Sequence, residues 1–287
     1  MEIGKLRVVL SVMLLVGLGT ARPTWADPAE EAYAEGMRLL QAGQSREALA
    51  AFDKAIRLKP TYAEAYRRRG IVYHSLSQND RAIKDYDEAV RLSPNSSEVY
   101  YDRANAYSDS GQSERALKDY DAALRLNPRY AQAYYNRSLA HLALDRGGEA
   151  AADARAYLDL KGWQESQAQY MVLVGYIGNQ LAQHDVEARQ LLEEAKGKSD
   201  TAVWPYPIIR YLRHEITADT LLTAATDTDK QTEAQTYLGL DLSLSGHRDE
   251  ALTHLRWVKD NGNKSFAEYT FATTALRRLE AAVQAQP

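Results

Sequence analysis

The residue types able to ligate metals, relay protons or attack carbonyls are few in this chain, and their spacing does not favour chemistry. Its six histidines are His74, His141, His184, His214, His247 and His254. None falls at an interval that brings two imidazoles to one metal. His214-Glu215 lacks the further histidine that would complete a zinc-binding helix. His247 and His254 stand seven apart, with a turn expected between them at Gly246 to Asp249. No serine elbow and no phosphate-cradling glycine loop is present. Cysteine is absent, which excludes disulfides, thiol nucleophiles and thiolate metal sites. Carboxylates are numerous, as on any solvated helix face, and no pair stands out. These features predict a protein with no catalytic residues, no metal and no cofactor.

What does recur is a set of polar and aromatic positions with a period of 34. Arg69, Arg103 and Arg137 keep that interval, as do Asp85, Asp119 and Asp153. Tyr66, Tyr100 and Tyr134 share it with Ala48, Ala82, Ala116 and Ala150, and with Pro60, Pro94 and Pro128. A fixed period of this length marks stacked helical hairpins. Units at 29–62, 63–96, 97–130 and 131–164 each read as two short amphipathic helices. Tyr66, Gly70 and Tyr73 share one face of a first helix, and Ala82, Tyr86 and Ala89 one face of a second. Gly43 and Gly111 suit the left-handed residue that ends a first helix. The three prolines end the second helices. The Arg–Asp pairs are expected to tie the two helices of a hairpin or to bridge neighbours. Exposed pairs of this kind contribute about 0–1 kcal/mol each.

The sequence Tyr66, Gly70, Tyr73, Ala82, Tyr86, Ala89, Pro94 resembles the tetratricopeptide repeat (TPR) consensus. The third unit matches with Ala104 for the glycine, and the first keeps Gly36, Ala48, Phe52, Ala55 and Pro60. The resemblance implies an all-α fold, a right-handed superhelix of hairpins whose first helices line a concave groove. Carried onto this chain, the groove positions hold Tyr33, Arg67, Arg68, His74, Tyr101, Asp102, Asn105, Tyr135 and Asn136. Tyrosine and arginine are frequent anchors of binding interfaces. Asn105 and Asn136 match the two asparagines of carboxylate-clamp TPRs. The clamp lysine is replaced by Tyr101, so the asparagines are expected to hold peptide backbone instead.

Past Gly162 the period loosens. Tyr170 to Ile177 and Ala188 to Ala195 suggest a fifth hairpin, with two extra residues in its turn. Trp204-Pro205-Tyr206-Pro207 interrupts it. Short helices are expected at Ile208 to Leu212 and Ala218 to Ala225, then a sixth hairpin from Thr232. A last helix, Ser265 to Val283, is expected to cap the stack with Arg277, Arg278 and Glu280 outward. The organisation is thus four units over 27–162, a degenerate hairpin and connector over 163–230, and a C-terminal hairpin and cap over 231–287. Trp204, Ile208 to Leu212, Ile216 to Leu222, Ala224 to Asp227 and Thr236 to Gly239 resemble the NlpI-like family of envelope TPR adaptors. That family's role implies dimerisation and recruitment of cell-wall hydrolases to a protease.

Lys5 and Arg7 precede an apolar run of 12 residues, Val8 to Gly19, and Thr24-Trp25-Ala26 offers small residues at a cleavage site. Residues 1–26 therefore read as a cleavable secretory signal, giving a periplasmic protein. With no cysteine, no lipid anchor is expected. Removing Glu2, Lys5, Arg7 and Arg22 takes away a net +2, so −4 becomes −4 − 2 = −6. An acidic chain without basic blocks is not suited to nucleic acid. The expected partner is a protein or peptide, and homodimerisation is a further expectation. The chain reads as a non-catalytic adaptor. The alternatives are a scaffold of an envelope secretion or assembly complex and, third, a hydrolase with its site at Trp204–Tyr211.

Overall fold

The computed structural model describes residues 27–284; the signal segment expected at residues 1–26 lies outside the described residues. Among the described residues the fold is all-helical, with 15 helices. The first four hairpins are α1 (Pro28–Gln41) with α2 (Ser45–Leu58), α3 (Ala63–Ser75) with α4 (Asn79–Leu92), α5 (Ser97–Asp109) with α6 (Ser113–Leu126), and α7 (Ala131–Ala143) with α8 (Gly147–Lys161). A fifth follows, α9 (Ala168–Leu181) with α10 (Asp185–Lys198). Two short helices, α11 (Tyr206–Leu212) and α12 (Ala218–Ala224), lead to α13 (Thr228–Leu244), α14 (Arg248–Asn261) and α15 (Ala267–Gln284).

Each hairpin is built on one close approach. A side chain added at Gly36 would meet the Phe52 ring at 2.6 Å, and one at Gly70 the Tyr86 ring at 2.7 Å. Phe52 and Tyr86 are fully buried in these seats. Small against large at a constant separation lets the two backbones pack at interior density. The hairpin turns are equally regular. Gly43 and Gly111 have φ of 74° and 71°, and the same place in the second and fourth units holds Ser77 (φ 58°) and Asp145 (φ 59°). Glycine is thus the easier occupant of a conformation that the whole array requires.

The fifth hairpin departs from the expected insertion. α9 begins 37 residues after α7 (Ala131 to Ala168) and α10 begins 38 after α8 (Gly147 to Asp185). Three of the extra residues therefore lie in the connection after α8, and one in the hairpin. The expected proline break is also shorter than the sequence suggests: Pro207 sits within the first turn of α11, where its missing N–H is unneeded. α13 begins at Thr228, four residues before the expected return of the repeat.

The C-terminal helix does more than cap. α15 packs on α13 and α14 and also touches α7, half a molecule away in sequence. Phe271 joins the core formed by Leu142, Ile177, Tyr237 and Leu238. Arg278 of α15 donates to Asp145 at the end of α7. The outward polar face is therefore partly used: Glu280 accepts from Arg256 at 3.1 Å, and Arg278 is paired across the array.

The recurring Arg–Asp pairs do both of the things the sequence leaves open. Arg69 donates through Nε and Nη2 to the two oxygens of Asp85, at 2.8 and 2.6 Å, and through Nη1 to Asp53 of the preceding unit. Arg103 holds Asp119 at 2.7 and 2.8 Å and Asp87 at 2.8 Å. Arg137 repeats the arrangement with Asp153 and Asp121. These are not the exposed pairs expected. The side chains of Asp85, Asp119 and Asp153 are only 7%, 10% and 5% exposed. Burial pushes the Asp85 and Asp153 carboxyls up, against the pull of their arginines. Removing the arginine would strand a desolvated carboxylate. Arg69→Ala is expected to cost about 2–3 kcal/mol in a denaturant melt. Arg69→Lys should recover only part of this, because an ammonium cannot make the two-pronged contact to Asp85.

Candidate functional site: a groove of first helices and an acidic aromatic cavity

The first helices stand side by side, and bonds between them join residues 35 apart. Arg67 Nε donates to Asp102 at 2.6 Å, His74 Nε2 lies 2.7 Å from Asp109, and Asn136 Nδ2 donates to the Tyr101 hydroxyl at 3.0 Å. Each links position five or twelve of one unit to the following position of the next. The sequence-selected residues thus largely hold one another. Arg67 and Asp102 are 16% and 14% exposed and consume each other's charge. Burial opposes the Arg67 charge, but Asp102 beside it outweighs that and keeps the guanidinium above its ordinary value. Arg68 is held by Glu64 at 2.7 Å. Tyr33 packs on Phe52 and Tyr62, with centroids 5.8 and 5.1 Å apart.

Three of the nine line one open groove: His74 from α3, Asn105 from α5 and Asn136 from α7. The groove holds about 910 Å³. Its opposite wall is Lys264 to Ala267, with Thr270 and Phe271 of α15, so the C-terminal segment narrows the groove rather than leaving it open. Asn105 Oδ1 accepts from Asn136 Nδ2 at 2.8 Å and from the Tyr120 hydroxyl at 2.7 Å. None of these bonds uses Asn136 Oδ1, and Asn105 Nδ2 has only the nearby Tyr101 hydroxyl, so the groove-lining amides retain a donor and an acceptor. An extended peptide backbone offers the complementary pair.

Tyr135, the remaining member, faces a second cavity of about 290 Å³. Around it stand Leu139, Tyr170, Val174, Glu233, Phe266 and Glu268. Leu139, Ser265, Phe266 and Ala267 line both spaces, so the cavity opens off the groove. Glu233 is 5% exposed and Glu268 9%. Glu233 accepts from Trp204 Nε1 at 2.6 Å and from the Tyr170 hydroxyl at 3.2 Å. Glu268 has a long contact of 3.5 Å from the Tyr237 hydroxyl. Burial first, and the Glu268 charge after it, push the Glu233 carboxyl up to about 7. Burial also raises Glu268. Tyr135 and Tyr170 hydroxyls are pushed upward by the same burial and the same two carboxylates.

Sequence reading missed Glu233 and Glu268. Aligned on Gly239, Glu233 falls at position two of its unit, one of the groove positions, as Glu64 and Glu98 do in theirs. The period therefore carried a signal. It was masked because an acid in a first helical turn is favoured by the helix dipole and needs no other reason. Glu268 does sit in the first turn of α15. Glu233 does not, because α13 starts early and places it inside the helix. Among the described residues no group of histidine and carboxylate side chains is arranged to hold a metal, and no helix is long and apolar enough to cross a membrane.

The buried carboxyl has a consequence for stability. Glu233 titrates higher in the folded chain than in the unfolded one, so its contribution is fully present below the usual carboxyl range and is lost as pH rises through about 7. Glu233→Gln should match the parent near pH 4 and exceed it near pH 8.5 by about 3 kcal/mol. Thermal melts at the two pH values measure the difference. Equal stability of the two proteins at both would contradict the burial argument.

Comparison with known proteins agrees with this architecture. No curated protein matches the sequence. The sequence model of the tetratricopeptide repeat matches residues 33–97 and 101–164. Among solved structures, the fold is similar to a TPR protein from Parabacteroides merdae, with a TM-score of 0.58 and 15% identity over 87% of this chain and 99% of that one. It is similar to the MamA protein, TM-score 0.55 and 18% identity, over 67% of this chain and 97% of that one. It is also similar to YrrB, a TPR protein with an unusual peptide-binding site, TM-score 0.55 and 17% identity, over 66% of this chain and 93% of that one. At these identities the likeness speaks for the fold. Residues 33–97 and 101–164 thus match the tetratricopeptide-repeat model and fold as regular hairpins of an α-solenoid.

Proposed function

We propose that this protein is a non-catalytic adaptor of the bacterial cell envelope that holds partner peptides or helices in its concave groove. The observation that carries the reading is the pair of asparagines, Asn105 and Asn136, that line a 910 Å³ groove and whose Nδ2 and Oδ1, respectively, take no part in the bond between them. The two asparagines are held in place by Tyr101 and Tyr120, so little ordering is needed on binding. YrrB, alike in fold, is a precedent for peptide binding by such a repeat array. The basic head and apolar run within residues 1–26 support an export signal and, with it, a periplasmic location. The likeness of the Trp204–Gly239 region to envelope adaptors points to cell-wall hydrolases or proteases as the proteins recruited. The absence of cysteine argues against a lipid anchor.

Asn105→Ala combined with Asn136→Ala is expected to weaken capture of a groove-selected peptide by about tenfold or more, equivalent to about 1.4 kcal/mol or more. Titration calorimetry on peptides chosen from a displayed library with the parent protein measures this, alongside a far-UV melt to confirm folding. Unchanged affinity in a folded double variant would move the binding site elsewhere.

A further inference from the structure

The cavity beside the groove combines three features that belong together chemically. Its walls are aromatic, from Tyr135 on α7, Tyr170 on α9 and Phe266 before α15. Its charged groups are two carboxylates, Glu233 and Glu268, each at least nine-tenths buried. Neither has an ion-pair partner among the described residues, whereas Asp85, Asp102, Asp119 and Asp153 are each matched to an arginine and the half-buried Asp241 is held by Tyr176 and Tyr211. Lys264, on the connection before α15, lines the larger groove and pairs with neither. Buried carboxylates are ordinarily neutralised by a cation or by a proton. Ring faces attract an organic cation and shed an anion.

We propose that this cavity binds a primary alkylammonium group, the lysine side chain of a peptide lying in the adjoining groove. The inference rests on the peptide reading of the groove for the source of the lysine, and on the cavity alone for the chemistry. About 290 Å³ accommodates a four-carbon stem and its ammonium. Leu139 and Val174 give the stem an apolar wall, while Glu233 and Glu268 take the charge at the end. The shared lining of Leu139, Ser265, Phe266 and Ala267 makes the mouth of the cavity part of the groove, so a side chain can turn in from a backbone outside. A compact ammonium suits the space better than a planar guanidinium, which needs a wider fork of acceptors. The ammonium would also favour the ionised form of Glu233, which burial otherwise holds near neutrality. The groups facing that carboxylate are Tyr135, Tyr170, Trp204, Tyr237 and Glu268, with Asp229 further along α13, and none is a cation.

The Trp204 indole N–H, bonded to Glu233, is a reporter within the site. Its ¹⁵N–¹H resonance, assigned with Trp204→Phe, is followed at pH 8 in the full chain during titration with n-butylammonium and, as a control, n-butanol. Saturable movement with the ammonium, absent with the alcohol and lost in Glu233→Gln and in Glu268→Gln, is the expected result. No movement, equal movement with the alcohol, or full retention in both variants would overturn the cavity as an ammonium site. A second arm compares groove-selected peptides with their lysine-to-norleucine counterparts. A loss of about tenfold or more on replacing the lysine, reduced toward onefold in Glu233→Gln, supports a peptide lysine as occupant. If n-butylammonium binds but norleucine peptides bind as tightly as lysine peptides, the peptide source is overturned and a free amine is the ligand. If no peptide binds while n-butylammonium does, the groove reading fails and, with it, the lysine as occupant.

Discussion

Every regular hairpin of this protein is closed across a separation of sixteen residues. Gly36 receives Phe52, Gly70 receives Tyr86, Gly175 receives Leu191 and Gly239 receives Leu255, all at the same interval. Arg69 with Asp85, Arg103 with Asp119 and Arg137 with Asp153 keep it too, on a neighbouring face. A ring in a glycine seat sets how near the helices come, and the two-pronged ion pair sets their register. A second interval, 35, then fastens one first helix to the next through Arg67–Asp102, His74–Asp109 and Tyr101–Asn136. One constraint closes the unit, and the other fixes its neighbour. A stack whose units contact mainly their neighbours derives its shape from these two.

The arrangement has a consequence for the groove. Residues that a consensus reading selects as free for a partner are in part the fasteners of the wall. Arg67 and Asp102 belong to the structure first, and the groups left for a ligand are the second faces of Asn105 and Asn136. The groove is further shaped by the end of the chain. α15 returns across α7, adds Phe271 to the core and sets Lys264 to Ala267 opposite the asparagines. The groove is therefore a cleft between the regular array and its own C-terminal segment.

The same return builds the cavity around Glu233 and Glu268. α7 brings Tyr135, α9 brings Tyr170, the Trp204 connection brings its indole, and α13 and α15 bring the carboxylates. Burying two acids together without a matched cation is costly, and it contrasts with the arginine-paired Asp85, Asp119 and Asp153 of the regular units. Trp204 and Tyr170 relieve Glu233 by hydrogen bonds, which keeps the carboxyl in place while leaving it close to neutrality.

The sequence by itself determined the units, because their signals are local and periodic. Glycine or alanine at position eight, a ring sixteen residues later and proline at the end specify the first three hairpins from contacts within about one unit. It placed helices from Pro28 to Lys161 with their turns, and named the Arg–Asp pairs though not their burial. The groove positions came from the resemblance to the repeat family, and of the nine residues carried over, His74, Asn105 and Asn136 line the groove. Tertiary structure alone decided what fills that groove and which residues meet in it. Arg278 touches Asp145 across 133 residues, and Glu233 reaches Tyr170 across 63. No periodicity links such pairs. They depend on how far the array has turned by the time α13 and α15 arrive, and that turn follows from the extra residues after α8 and the break at Trp204-Pro205. The side-chain types involved are compatible with many landing places.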